Sequence, residues 1–511
     1  MATTYDRHIF KQLEEVMKKC DNLSQEIRDI KKNHKEEIHK IKEDHRKEIS
    51  ELKEENKNLK NKIKELQEEN DILKGKSNQK NSCNSNIPPS KDEFKKQNHR
   101  EKSTKKQGGQ KGRAGKTLKA EDVEKIIKEG NAKVIEEHYG DVKSKRTTIR
   151  YIMDIETKVV IRKIFIHGEI KEEKDQIPVE CQNNKSIVVY GNNLKALVGV
   201  MYAQEVIAFD RMVEFLGILT ENKLNVSHGS LVGWIDDIGI KCKKPKKKLA
   251  SAIRKTKVIS TDATPTSLNG KYAYVRNYSD DRVTILEASH SKKIQEIQRQ
   301  NILPNFKGYI MHDHETGLYN FGIKSNHLEC WIHLGRELKY CDEYIKNEWS
   351  KELWEFAWNI NKDRKIRKEN KINSFSTEEI SGYEDKYDEI VKKGLLENKG
   401  TPTKYLRNKE KTILKRLQKY KWNYLNFLRD FDLPFDDNLS ERDLRPTKTK
   451  KKISGCHRAF CGLKSYCNIR SIISTCIKQG LNYFKILKDI IDNKPIAIMK
   501  NGLIIANEYP K

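Results

Sequence analysis

The first eighty residues contain the longest uninterrupted helical pattern in the chain. Residues 9–74 have neither Gly nor Pro, the two residues that most strongly disfavour a helix interior. From residue 49 onward, Leu fills every seventh position, and the other core position of the heptad alternates between Ile and Asn. The Leu set is Leu52, Leu59, Leu66 and Leu73, and the alternating set is Ile49, Asn56, Ile63 and Asn70.

A heptad repeat of this kind buries its apolar seam against another helix. Asn inside the seam lowers the stability of a dimer but favours a parallel, in-register pair, because each amide hydrogen-bonds to its mate. Residues 9–74 are therefore predicted to form a coiled coil that joins the chain into a homodimer or higher oligomer. A long, solvated single helix is the alternative.

The next segment has a different composition. Residues 75–120 are rich in Ser, Asn, Gly and Lys and poor in apolar side chains. Such a segment buries too little surface to offset the entropy lost on ordering, so we expect a flexible basic linker. Its positive charges, among them Lys111 and Arg113, are suited to lie along DNA phosphates. A plain tether without DNA contacts explains the composition equally well.

Positive charge is concentrated in a few runs. The 511 residues include 102 Lys and Arg against 74 Asp and Glu, which gives a net charge of +28. Part of this excess is a general preference for Lys, but residues 95–113, 241–257 and 442–452 are basic runs that would attract a phosphate backbone. Because no stretch of 18 apolar residues and no apolar N-terminal signal core occur, we expect a soluble, unsecreted protein without a membrane partner.

Two small domains are predicted to follow the linker. Residues 145–167 are rich in β-branched side chains, so 121–189 is expected to be a small β-rich domain. Residues 190–256 have helical periodicity, and part of them is typical of a DNA-binding helix-turn-helix whose second helix is capped by Ser227 and exposes Ser230. A generic helical pair fits as well. The buried face of the second helix is predicted to be Leu231, Trp234, Ile235 and Ile238.

After Lys257 the spacing of apolar residues changes from that of helices to that of strands. Five short runs rich in β-branched and aromatic residues occur, with a helical segment between the third and the fourth. The runs are residues 258–261, 271–277, 282–289, 308–312 and 327–333. This order is that of a ribonuclease H-like sheet. We therefore predict an α/β catalytic core over 257–460, with an all-helical insertion at about 340–430 and a helical region at 461–511.

Three acidic residues stand at key points of this pattern. Asp262 follows the first strand-like run, Asp313 follows the fourth, and Glu441 begins a basic helix. The first and fourth strands of such a sheet are neighbours, so the two aspartates are expected to meet, and a helix after the insertion is expected to deliver the glutamate. Carboxylates of this kind suit Mg²⁺, and paired ions serve phosphodiester chemistry. We expect two Mg²⁺ ions per site, for which Mn²⁺ substitutes.

Neighbouring acidic residues have simpler interpretations. Asp280 and Asp281 fit a hairpin turn, where Asp is favoured by local backbone hydrogen bonds. Glu315 competes with Asp313 as the candidate for the second metal ligand. Asp436 and Asp437 lie a few residues before Glu441, the candidate for the third, and crowd it.

His and Cys side chains near the acids resemble metal ligands at first sight. Cys330 and His333 have a C-x-x-H spacing, but no further partners stand at a usual zinc spacing, so no zinc is predicted. Cys330, His333 and His312 are expected to have structural roles beside the site. A contact between His312 and the scissile phosphate is the alternative.

Several segments, taken in order, resemble one family. Residues 85–92 (SNIPPSKD) and 107–118 (QGGQKGRAGKTL) are similar to its Ser/Pro-rich and Gly-rich signature, residues 190–216 to its helical region, and residues 327–338 (HLECWIHLGREL) to its Cys-Trp-x-His segment. The most specific match is NLSERDLRPTKTKKKISGCHRAF at 438–460. The chain thus resembles, over nearly its whole length, the transposases of the insertion sequence 66 family, bacterial DDE-type enzymes that move mobile DNA.

The resemblance implies that Asp262, Asp313 and Glu441 are the catalytic and metal-binding residues of a DNA transposase, which cleaves transposon ends and joins them to target DNA. It implies a nucleoid-associated protein of the bacterial cytoplasm, with accessory proteins of the same element as further candidate partners. Basic residues near the third acid and before the sheet are expected to contact DNA, a solvated basic face being the alternative. They are Arg442, Arg445, Lys448, Lys450, Lys451, Lys452 and Arg458, and Lys243, Lys244, Lys246 and Lys247.

The chain departs from the family at two places. Ala263 stands where the family usually has Glu, and no cysteine lies between Cys83 and Cys181, where members commonly have a small zinc module. The domain at this place is therefore expected either to hold its β-fold without metal or to be degenerate, and no structural zinc is predicted. A structure-selective nuclease of the same fold and a catalytically silent DNA-bridging protein derived from a transposase are the alternative functions.

Overall fold

The chain forms two compact units in the computed structural model. One comprises residues 1–79, 340–352 and 388–418, and the other 80–339, 353–387 and 419–511. The residues that the structure describes are 4–79, 120–130, 133–136, 151–153, 158–165, 178–181, 186–323, 326–498 and 504–505. Most of the predicted basic linker, with Lys111 and Arg113, lies outside these residues.

The first unit begins with one long helix, α1 (Thr4–Gln79), which confirms the predicted helix over 9–74. Its heptad seam faces solvent in the single chain, since Leu52, Leu59 and Ile63 are each about half exposed. Association through this seam stays a prediction. The C-terminal end of α1 lies beside the rest of the first unit, where Thr403 donates a hydrogen bond to Asp71 at 3.1 Å.

The second unit places short helices ahead of its sheet. These are α2 (Ala120–Lys128), α3 (Asn192–Ala203), α4 (Phe209–Leu219), α5 (His228–Lys241) and α6 (Lys243–Ile253). The Ser227 hydroxyl accepts from the Ser230 amide at 3.1 Å, which confirms the predicted N-cap of α5. The predicted buried face of α5 is also confirmed: it consists of Leu231, Trp234, Ile235 and Ile238. The described residues of 121–189 hold α2 and a 3₁₀ turn but no strand, and the rest of that predicted β-rich domain lies outside the described ranges.

A mixed sheet follows. Its elements are β1 (Val258–Ser260), β2 (Ala263–Leu268), β3 (Lys271–Ser279), β4 (Thr284–Ser289), helix α7 (Ile294–Gln300), β5 (Tyr309–His312) and β6 (His327–Glu329). β1 and β2 pair with β3 in one continuous antiparallel register, so they behave as one long strand interrupted after Ser260. β4 is antiparallel to β3, while β5 is parallel to β1 and β6 is parallel to β5. The strand order is therefore β4, β3, β1 with β2, β5 and β6.

The sequence prediction was wrong about two strands. It omitted β2, although Asn269 and Gly270 have the positive φ angles of 46° and 75° that suit a two-residue hairpin between β2 and β3. It also extended the last strand through residue 333, whereas β6 ends at Glu329 and a helix begins at Trp331. A short apolar run such as CWIH does not by its pattern distinguish a strand from a buried helix.

Helices form most of the remaining chain. They are α8 (Trp331–Tyr340), α9 (Glu348–Glu369), α10 (Thr377–Glu397), α11 (Lys404–Lys419), α12 (Lys421–Leu425), α13 (Asn438–Ser454), α14 (Phe460–Gln479) and α15 (Tyr483–Ile491). The predicted C-terminal helical region holds two helices, α14 and α15, because Gly480 adopts a left-handed conformation that ends α14. A small hairpin of β7 (Ile496–Ala497) and β8 (Ile504–Ile505) follows, which the sequence did not predict. No described helix is long and apolar enough to cross a bilayer.

The core of the second unit surrounds α14. This helix is buried along most of its length and packs against α3, α5 and β4, while α13 packs on β2 and β3. The α/β class is thus confirmed in its coarse form, as a mostly helical protein with a small mixed sheet. The packing of α13 matters most for function, because it brings the start of that helix to the sheet that carries the two aspartates.

Candidate active site

Asp262 lies at the interruption between β1 and β2. Its amide donates to the side-chain oxygen of Asn277 at 2.8 Å, and its carbonyl accepts from the Asn277 amide at 3.0 Å. The Asp262 carboxylate accepts from the Ala263 amide at 2.6 Å. The backbone is therefore fixed by β3 on one side, and the carboxylate is held close to the chain.

Asp313 lies beside Asp262. In the parallel pairing of β1 with β5, Ser260 is opposite Met311. Asp262 comes two residues after Ser260, and Asp313 comes two residues after Met311. Because alternate residues of a strand share a face, both carboxylates are on the same face of the sheet. Burial and the neighbouring Asp262 raise the pKa of Asp313 to about 7, and Lys292 partly opposes this increase. The structure thus brings the two predicted aspartates together.

Glu441 lies in the first turn of α13, as expected for a helix after the insertion. Its carboxylate is 3.3 Å from His333 Nε2 and 3.1 Å from the Arg336 guanidinium, both on α8. Burial and Arg336 lower the pKa of His333, while Glu441 and Asp262 both oppose that decrease. His333 is therefore within electrostatic reach of one carboxylate from the sheet, Asp262, and of one from α13, Glu441.

Asp437 is a fourth acid in this region, and the sequence interpretation did not assign it a function. It is 1% exposed, immediately precedes α13, and has an Oδ1 atom without a hydrogen-bond partner among the described residues. Burial raises its pKa well above the usual value, and Asp262 and Asp313 add to the increase. The available signal was an Asp at an N-cap position, where Asp is favoured, four residues before Glu441, although the Asp437 side chain makes no cap hydrogen bond.

The donor set fits a divalent cation of the magnesium type. Among the described residues, no group of three or more His, Cys, Asp or Glu side chains is placed so that it could hold a metal ion by itself. Mg²⁺ does not need such a set, because it keeps several waters and binds through one or two carboxylates together with substrate phosphates. The like charges of Asp262 and Asp313 and the unpaired, buried Oδ1 of Asp437 are features that a bound cation would compensate.

The residues predicted to have structural roles beside the site lie there. His312 is fully buried, and its Nε2 is 3.0 Å from His327 Nδ1, so the alternative contact with a scissile phosphate is wrong. The Cys330 sulfur accepts from the Asp437 amide at 3.2 Å, and burial raises the pKa of this thiol to about 12. Cys330 therefore supports the chain at the start of α13, next to the acids.

Glu315, which competed with Asp313 as the candidate for the second metal ligand, is paired with an arginine. Both of its oxygens accept from the Arg276 guanidinium, at 2.6 and 2.8 Å, and Arg276 is 2% exposed. Asp280, the other acid considered, accepts from the amides of Arg282 and Val283 in the turn between β3 and β4, as expected for a turn residue.

The predicted DNA-binding residues differ in accessibility. The Lys246 ammonium is buried, 2.8 Å from Glu287 and 3.1 Å from Asn468, and that of Lys450 is buried 3.7 Å from the centre of the Tyr202 ring. Neither is available to a phosphate backbone, which corrects two of the predictions. The remaining candidates are at least partly accessible: Ser230, Lys243, Lys244, Lys247, Arg442, Arg445, Lys448, Lys451, Lys452 and Arg458.

Two comparisons with known proteins bear on the identity of this chain. A segment of 94 residues, 18% of this chain, is 36% identical to the uncharacterized protein y4jO of Sinorhizobium fredii (strain NBRC 101917 / NGR234) and spans 29% of that relative's length. The model of the family described as Transposase IS66 family matches residues 188–464, more than half of the chain and a range that includes all four acids. This chain belongs to the IS66 family of transposases.

Proposed function

We propose that this protein is a DNA transposase that cleaves DNA at transposon ends and transfers the cut strands to target DNA. The observation that carries the proposal is the parallel pairing of β1 with β5, by which Asp262 and Asp313 stand side by side. Family membership supports DNA as the substrate. The basic composition, with a net charge of +28, agrees with a polyanionic partner.

The proposal includes a ribonuclease H-like catalytic core. Its support is the strand arrangement, in which three antiparallel segments are followed by two strands parallel to the first. Asp262 belongs to the central strand of this sheet and Asp313 follows its parallel neighbour. Glu441 is supplied by α13, which packs on β2 and β3.

In this function the acids hold divalent cations and the neighbouring side chains orient the acids. When bound, a pair of Mg²⁺ ions, or Mn²⁺ in their place, activates the attacking oxygen and stabilises the leaving 3′-oxygen. Asp262 and Asp313 provide hard oxygen ligands from the sheet. Arg336 and His333 contact Glu441 and fix its direction until DNA and cations are present.

The accessible basic residues position the DNA backbone. Arg442 and Arg445 are exposed on α13, one and four residues after Glu441, so phosphates that they bind lie near the acids. The helices α4 and α5 form the proposed helix-turn-helix, with Ser230 in its first turn. The seam of α1 joins two or more copies, so that paired DNA ends are held in one complex.

Strand transfer in vitro tests the proposal. The full chain is incubated with labelled DNA carrying candidate transposon ends, a target plasmid and Mg²⁺, and both nicked and joined products are measured. Joined products that require Mg²⁺ support the transposase. Cleavage without joining favours a structure-selective nuclease, and DNA binding without either product favours a DNA-bridging protein.

A further inference from the structure

Asp313 lies beyond the last pairing of its strand. The final ladder contacts of β5 run from the Thr261 amide to the Met311 carbonyl and from the Cys330 amide to the His312 carbonyl, at 3.0 and 3.1 Å. No sheet pairing therefore fixes the backbone of Asp313 itself. The direction of its carboxylate depends on the turn that follows.

That turn contains a strained residue. His314 has a φ angle of 65°, in the left-handed region that non-Gly residues rarely adopt. Strain of this kind persists where the surroundings hold it, and it is concentrated at functional sites. The His314 side chain supplies one such restraint, because its Nδ1 is 2.7 Å from Glu329 Oε1.

Glu329, which holds the His314 side chain, is itself buried and held by a further hydrogen bond. Glu329 is 2% exposed and belongs to β6, and it also accepts a hydrogen bond from the Tyr319 hydroxyl at 2.6 Å. The Tyr420 ring lies 5.2 Å from the His314 ring, edge to face. The position of His314 is therefore fixed from the sheet and from an aromatic neighbour.

The next residue is held from the opposite side. Glu315 receives two hydrogen bonds from Arg276, whose Cα pairs with that of Ala263 across β2 and β3. The same guanidinium is 3.4 Å from the Thr261 hydroxyl. Arg276 thus connects the turn after Asp313 to the strand segments on both sides of Asp262.

We propose that His314 and Glu315 are positioning residues, which through Glu329 and Arg276 form a two-point clamp that aims the Asp313 carboxylate at the cation site shared with Asp262. The inference rests on the proposed function, because it concerns the same acidic site. Neither residue touches DNA or the reacting atoms in this role. The clamp acts by holding a strained turn whose free form would point Asp313 elsewhere.

The first test removes each contact in the full-length chain. Binding of Mn²⁺ alone is measured by electron paramagnetic resonance, without DNA, and Mg²⁺-dependent cleavage is measured separately. His314→Ala and Glu315→Ala are each expected to weaken Mn²⁺ binding by about 10- to 100-fold, the usual effect of losing a residue that orients a ligand. A higher Mn²⁺ concentration is expected to restore cleavage by these variants. It would not restore cleavage by a protein that had failed to fold.

The matched control is Glu296→Ala, which breaks a surface ion pair of similar length with Arg299, at 2.9 Å. It is expected to bind Mn²⁺ like the wild type. Because Glu315→Ala leaves a buried guanidinium without its partner, the double variant Arg276→Met/Glu315→Ala is measured as well. It removes both charges, is expected to fold, and still lacks one point of the clamp, so it is expected to keep the weakened Mn²⁺ binding.

A glycine variant separates the turn from the imidazole. Gly adopts positive φ without steric cost, so His314→Gly is expected to lose much less Mn²⁺ affinity than His314→Ala. The Mn²⁺ affinity of His314→Gly is expected to be within about 3-fold of the wild type, against a loss of at least about 10-fold for His314→Ala. Equal loss in both variants would overturn the inference that the clamp holds a strained turn, because removing the strain would then restore no Mn²⁺ affinity. The clamp would also be overturned if Glu315→Ala and the double variant bound Mn²⁺ as tightly as the Glu296→Ala control.

The outcomes distinguish this inference from the proposed function. If the wild type neither binds Mn²⁺ nor cleaves DNA, the proposed function fails and the clamp fails with it. If the wild type does both and the clamp variants match the Glu296→Ala control, the clamp alone is wrong.

Discussion

Asp262 and Asp313 stand at the same level of two parallel strands, each two residues beyond the pair formed by Ser260 and Met311. Two carboxylates so placed repel each other, and burial strengthens the repulsion. Burial and the neighbouring Asp262 raise the pKa of Asp313 to about 7, so the charged pair does not stabilise the metal-free fold. Perturbed acids of this kind are more often found where a protein binds or reacts than where it merely packs.

Asp262→Asn is expected to abolish cleavage while DNA binding is retained. The substitution removes a charged ligand with little change in shape, so cation binding is lost and the basic surfaces remain. We expect Mg²⁺-dependent cleavage to fall at least about 100-fold, as for removal of a group that stabilises charge in the transition state. Cleavage is followed on a labelled DNA end, and binding by electrophoretic mobility shift.

The control for this variant is Asp281→Asn. Asp281 is in the turn between β3 and β4, its side chain is 89% exposed, and the same loss of charge there is expected to leave cleavage unchanged. Full cleavage by Asp262→Asn would contradict the assignment of this residue as a metal ligand.

The pH dependence of stability is expected to reveal Asp313. A carboxyl group whose pKa is raised in the folded state, here from 3.8 to about 7, binds more protons when folded than when unfolded between those values. Its contribution to stability is therefore lost as the pH rises from about 4 to about 7. Without metal, Asp313→Asn is expected to be more stable than the wild type at pH 8, by on the order of 2 kcal/mol.

Thermal unfolding of both proteins at pH 5 and pH 8, with and without Mg²⁺, checks this expectation. The difference between them should be smaller at pH 5, where the wild-type carboxyl is largely protonated. Addition of Mg²⁺ at pH 8 should stabilise the wild type more than the variant, because binding to the folded state alone raises stability. A stability difference that does not change with pH would be evidence against the raised pKa.

Local patterns in the sequence were sufficient for much of this fold. The Gly- and Pro-free heptads predicted α1, and Ser227 marked the start of α5. The strand before Asp262 and the strand before Asp313 were both identified from their β-branched runs. Their adjacency followed from the expected order of the sheet, which is why two of the acids could be placed together.

Features that depend on tertiary contacts were not predictable in this way. β2 was missed because the segment ATPTSL has little apolar alternation, although the Asn269–Gly270 pair is a strong hairpin signal. Asp437 was interpreted as crowding, since burial against the sheet is not visible in sequence. Lys246 and Lys450 looked like surface charges for the same reason: their burial comes from packing against residues distant in sequence, such as Asn468 and Tyr202.

The Asn residues of the α1 seam are expected to set the oligomeric state. Replacing Asn56 and Asn70 with Leu removes the amides that favour a parallel, in-register dimer. The double variant is expected to gain thermal stability and to populate oligomers larger than the wild type, as measured by sedimentation equilibrium. Leu at Asn58 and Asn61, outside the heptad core, is the matched control and is expected to sediment like the wild type. A monomeric wild type would contradict the coiled coil.

Accessibility is expected to decide which lysines and arginines bind DNA. Arg445 is exposed on α13, whereas the Lys450 ammonium lies against the Tyr202 ring and burial lowers the pKa of Lys450 to about 7. Arg445→Ala is expected to weaken DNA binding and to reduce the slope of log affinity against log salt by about 1, because one phosphate contact is lost. Lys450→Met removes a charge that does not reach DNA, so its salt slope should equal that of the wild type. Titrations at several salt concentrations measure both, and a reduced slope for Lys450→Met alone would show that α13 contacts DNA through a different face.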